Sequence, residues 1–93
     1  MGNPYDSACT IKNIWREHLH SNVDPLLSFV FKTGMEEIKS YCQEHDYSKA
    51  MPIAKTMVKG FNPDFYKNES WGKHADVVLE KLKGLESSLQ ELI

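Results

Sequence analysis

Histidines, a cysteine, paired carboxylates and lysines are the residues of this chain whose spacing could support chemistry. Cys42 and His45 are three apart, so on a helix they share a face and could both reach a metal, with His18 or His20 as a third ligand. His18 and His20, two apart, diverge by about 200° on a helix and cannot chelate together. No second Cys/His pair has the spacing a closed zinc site needs. Cys42 also lies on an apolar stripe, where an inert thiol is the ordinary occupant. These residues therefore indicate no metal and no cofactor. Catalysis has less support still. There is no G-x-S-x-G turn, and Glu36-Glu37 are consecutive and so point apart on a helix. The glycines at 2, 34, 60, 72 and 84 are too scattered to cradle a phosphate. The expectation is a non-enzyme.

Nucleic-acid binding has one local feature. The window Lys49–Lys73 holds Lys49, Lys55, Lys59, Lys67 and Lys73 against Asp64 and Glu69, with Phe65 and Tyr66 between them. Lysines and aromatics can track a backbone and stack bases. The chain as a whole carries −2, however, and Arg16 is its only arginine. A recognition helix normally has more basic density than this, so the lysines read as a solvated outer face.

The elements that must position these side chains follow from apolar spacing. Residues 1–7, with Asn3, Pro4 and Asp6, read as an irregular arm, and Asp6 or Ser7 caps a first helix running to about Leu19. Its apolar face is Ile11, Ile14, Trp15 and Leu19. Asp24-Pro25 starts a second helix whose stripe Leu27, Phe31, Met35, Ile38, Cys42 carries it to about Glu44. Leu26–Phe31 fits equally as core or as an exposed patch. A third helix begins after His45-Asp46 with Ser48 as its cap and Pro52 in its first turn. Ile53 or Ala54, Met57 or Val58, and Phe61 line its inner face, and Gly60 with Asn62-Pro63 stops it. Residues 62–70 form an aromatic loop, and Ser70 caps a last helix. That helix carries Trp71, Ala75, Val78, Leu82, Leu85, Leu89 and Leu92 at period 3.5, the seam of a coiled coil or a bundle.

One domain over residues 1–93 is all the length permits, and 41% hydrophobic residues suffice to fold it. The expected fold is all-α: a compact antiparallel bundle of about four helices with a long heptad-patterned C-terminal helix. The seam on residues 71–92 could instead join two copies as a homodimer. No apolar run approaches a membrane span, and no secretory leader is evident. Two cysteines are too few for a disulfide scaffold of this size. The expected location is the cytoplasm.

The aromatics at element ends carry the functional reading. Tyrosine and tryptophan dominate protein-interface hot spots. Phe65, Tyr66 and Trp71 are taken as anchors for a protein partner, with Glu36, Glu37, Glu44 and Asp46 complementing a basic target. The equally simple alternative is that Phe65 and Trp71 close the end of the bundle. The expected function is steric occlusion of another protein, such as a toxin or an enzyme, in the manner of an inhibitor, immunity protein or antitoxin. On this reading Tyr66→Ala weakens binding by about 2 kcal/mol without unfolding the domain. A second reading is a small-molecule or nucleotide sensor lined by Trp15, Phe29, Met51, Met57 and Trp71. A weak nucleic-acid accessory role is a third.

Overall fold

Two proline-led starts and one buried indole organise the chain. A computed structural model describes residues 3–93. It contains four helices: α1 (Pro4–Ile14), α2 (Pro25–Gln43), α3 (Tyr47–Gly60) and α4 (Gly72–Leu92). A π turn over Trp15–Leu19 prolongs α1, and a 3-10 turn over Pro63–Tyr66 precedes α4. Each helix packs on its sequence neighbours and α1 closes the ring on α4, giving the all-α antiparallel bundle that the stripes indicated. Among the described residues no helix is long and apolar enough to cross a membrane.

The helix starts are set by side-chain oxygens. The Asn3 side chain accepts the Tyr5 amide at 2.9 Å and Pro4 fills the first helical position, so residues 4–7 are helix and not the expected arm. Residues 1 and 2 of that arm lie outside the described residues. At α2 the expectation holds: Asp24 accepts the Leu26 amide at 2.8 Å, ahead of Pro25. In α3 the cap position belongs to Asp46 and not to Ser48. Pro52 therefore falls in the second turn, where the amide it lacks would have bonded the carbonyl of exposed Ser48. Ser70 likewise stands one residue too early. Trp71 occupies the cap of α4 without a side-chain bond.

The π turn is the part that periodicity did not reveal. The His20 amide reaches back five residues to the Trp15 carbonyl at 2.8 Å, widening the helix there, and Trp15 and Leu19 are both buried. Trp15 stacks on Phe31 at 3.9 Å between ring centroids and 11° between planes. Its indole N–H donates to Ser28 Oγ at 3.3 Å, and Ser28 Oγ in turn donates to the His20 carbonyl at 3.4 Å. The buried hydroxyl of Ser28 is thus satisfied on both sides, and the relay ties the π turn to α2.

The seam of α4 is spent within the chain. Ala75, Val78, Leu82, Leu85 and Leu89 are fully buried, Trp71 is half-buried and Leu92 is exposed. A second copy using the same seam would have to displace α1 and α3. Two glycines permit close approaches. A Cβ on Gly34 would lie 3.0 Å from Cε of Met57, so its absence lets α3 settle against α2. A Cβ on Gly72 would run into the Tyr66 carbonyl, which is backbone and cannot swing aside. Gly72→Ala is expected to destabilise the fold by about 1–3 kcal/mol, the range for overpacking. That lowers the thermal midpoint by several degrees, whereas Gly84→Ala, with open space around it, should not lower it.

Candidate partner-binding face

The residues proposed from sequence do not form one surface. α2 spans about 28 Å at 1.5 Å per residue, and its antiparallel partner α3 carries the chain back. Glu44 and Asp46, in the α2–α3 turn, are therefore at the opposite end of the bundle from Phe65, Tyr66 and Trp71. Asp46 pairs with Lys49 at 3.4 Å, and Glu36 forms an ion pair with Lys12 across the α1–α2 contact. Glu37 is exposed farther along α2.

The aromatic loop divides in two. Tyr66 lies 4.9 Å from Trp71 and 6.2 Å from Phe61 between ring centroids, and all three join a cluster continuous with Trp15 and Phe31. Trp71 thus closes the end of the bundle as the second reading expected, but its companion there is Tyr66 and not Phe65. Tyr66→Ala would also cost packing, contrary to the expectation that it leaves the fold untouched. Phe65, 81% exposed, is the ring of this turn that faces solvent.

The largest exposed apolar group on one helix lies elsewhere. Leu26, Phe29 and Val30 are 69%, 67% and 57% exposed on the first turns of α2. They form a ridge with a depression on each side. Toward α3, an apolar hollow of about 170 Å³ is lined by Leu27, Val30, Phe31, Met57 and Phe61, among others. Toward α1, a second hollow of about 170 Å³ has Trp15 and Phe31 as its floor and Lys12, Arg16, His20 and Lys32 around it. The signal for the ridge was present in the stripe: if Phe31, Met35 and Ile38 face inward, Leu26, Phe29 and Val30 cannot. The residues offered for a sensor pocket lie apart. Trp15 and Met57 line different hollows, Met51 is buried, and Phe29 stands on the ridge between.

The rim toward α1 is cationic. Burial and the charges of Lys39, Lys32 and Arg16 work against the Lys12 ammonium, and Glu36 is the carboxylate bound to it. Lys39 lies 5.6 Å above the Tyr5 ring. Four cations thus follow the α1–α2 contact, with Glu36 of the expected acids paired among them. Their clustering depends on two helices facing each other, which no spacing within one helix discloses.

The histidines are divided between the two ends of the bundle. Cys42 is buried and His45, at φ 58°, hydrogen-bonds the Tyr47 hydroxyl at 2.9 Å, far from His18 and His20. Among the described residues no group of three potential ligands converges. His18 instead stacks on His74 of α4, 3.5 Å between ring centroids and 3° between planes. Partial burial, the His18 ring and Lys73 hold His74 below the usual histidine range. Glu17, 3.8 Å from His18 Nε2, is the carboxylate beside the pair. A histidine with a lowered folded pKa takes up its proton more readily when unfolded, so stability falls as the pH drops below 6.5. His74→Gln should lose less thermal stability than the parent between about pH 7.5 and about pH 5. Identical losses would remove the stacked pair as a cause.

No protein-family model, no curated protein and no solved structure matches the chain.

Proposed function

We propose that this chain is a non-enzymatic protein-interaction domain of the cytoplasm that acts sterically, by covering a surface of another protein as inhibitors, immunity proteins and antitoxins do. The observation that supports this is the Leu26–Phe29–Val30 ridge, an apolar surface held out on a helix whose other face is fully engaged in the core. Contiguous exposed apolar groups with polar surroundings mark interaction surfaces in folded monomers. Phe29 supplies a large rigid anchor, and the hollows on either side accept the partner's side chains. The unpaired thiols Cys9 and Cys42 agree with a reducing compartment. Phe65 is a second anchor on the same end of the bundle, since the 3-10 turn and the start of α2 both lie there.

The test is a pull-down from the lysate of the source organism with the parent chain, Phe29→Asp and Phe65→Ala as baits. Circular dichroism should show all three folded, because both side chains are exposed. One stoichiometric protein retained by the parent and lost with Phe29→Asp is expected, with a cost of at least about 2 kcal/mol in the purified pair. Equal capture by the parent and Phe29→Asp would refute the ridge as the contact, and no partner at all would refute the occlusion reading.

A further inference from the structure

The ridge and the cationic rim are adjacent, and together they specify a partner more narrowly than either does alone. Phe29 and Lys32 border the same depression beside the π turn, together with His20. The hollow with the Trp15–Phe31 floor continues it, and Arg16 and Lys12 stand on its far side. Lys39 extends the row toward the other end of α2, where it borders a depression together with Glu36 and Glu37. From Leu26 to Lys39 is about 20 Å along the helix, the length of a segment of about 14 helical residues. Along that path Glu36 is the acid in an ion pair, bound to Lys12, and Asp24 is engaged in capping α2. Arg16, Lys32 and Lys39 have no carboxylate within ion-pair distance among the described residues.

We propose that the α1–α2 face receives an acidic amphipathic helix of the partner protein, its apolar side chains on Leu26, Phe29 and Val30 and its carboxylates over Lys32, Arg16 and Lys39. This rests on the occlusion reading above and names the chemistry of what is occluded. The helix-on-groove mode places anchors at i, i+3, i+4 and i+7 along one face, and a short apolar ridge bordered by hollows and followed by cations suits one end of such a helix. Charges at such a rim act mainly through encounter rate and choice of partner. A nucleic-acid backbone would neutralise the same cations but leave the ridge in water, and it does not explain why three large apolar side chains are held out there. The acidic residues Glu36 and Glu37 are then not the complement of a basic target. Glu36 is engaged by Lys12, and Glu37 borders the Lys39 end of the path, where it opposes an acidic visitor.

The experiment uses the full chain, isotope-labelled, with a synthetic helical peptide of about 18 residues bearing leucines on one face and glutamates elsewhere. A twin with lysines replacing the glutamates, a generic duplex oligonucleotide and vesicles containing phosphatidylserine are the comparison probes. Amide shifts on adding the acidic peptide should concentrate at Lys12, Arg16, Leu26, Phe29, Val30 and Lys32. Arg16→Glu with Lys32→Glu should weaken binding about tenfold or more, Glu37→Lys should tighten it, and added salt should weaken it. If the double reversal unfolds the chain, Arg16→Gln with Lys32→Gln serves, with a smaller loss in the same direction. Absence of shifts at this face, equal binding of the lysine twin, or selective binding of duplex or vesicles would each overturn the proposal. A Phe29-dependent partner in the pull-down, indifferent to these charges, would sink the acidic helix while the occlusion reading stood.

Discussion

The contact on which the rest depends is the buried stack of Trp15 on Phe31 with its hydrogen-bonded relay through Ser28 to the His20 carbonyl. An indole N–H taken out of water must find an acceptor, and Ser28 supplies it from α2. That requirement fixes the rotation of α2 about its own axis. With Ser28, Phe31 and Met35 facing inward, helical geometry leaves Leu26, Phe29 and Val30 outward. The π turn belongs to the same arrangement, since its wide ring is closed by the His20 amide on the Trp15 carbonyl while the His20 carbonyl receives the relay. The exposed ridge is therefore a consequence of how the core is satisfied.

Around that stack the bundle closes by ordinary means. Trp15 meets Phe61, Phe61 meets Tyr66, and Tyr66 meets Trp71, so an aromatic row runs from the π turn to the cap of α4. Gly72 lets the 3-10 turn lie against the first residue of α4. The end of the bundle with this row also carries the ridge and Phe65, whereas the α2–α3 turn at the other end carries Glu44, His45 and Asp46. The molecule is about 37 Å long, so the two ends present separate surfaces.

Much of this architecture was legible in the sequence. The stripes of α2 and α4 and the Asp24-Pro25 start are visible because core burial and capping act through local spacing. The start of α1 was legible in principle, as Asn3-Pro4 is a cap followed by a first-position proline, but Ser7 competed for the role. The π turn was not legible, because Ile11, Ile14, Trp15 and Leu19 suit a regular helix as well. Nor could sequence order tell that Tyr66 and Trp71 pack while Phe65 does not, since three aromatics in a loop carry no period. The cationic row was hidden for a different reason. Lys12 and Arg16 belong to one helix and Lys32 and Lys39 to another, and only the α1–α2 contact joins them. The acids chosen as partner contacts were recognised by their charge alone, and charge does not say which ones the fold has already paired.

The most direct test of the docking face is made in living cells of the source organism. A photo-crosslinking phenylalanine analogue is placed at position 29, and in a separate chain at position 90, an exposed site near the other end of α4. Irradiation should join the position 29 chain to one protein at high yield and leave the position 90 chain without that adduct. Equal adducts from both positions, or none from position 29, would contradict the claim that the α2 ridge is the surface through which this protein acts.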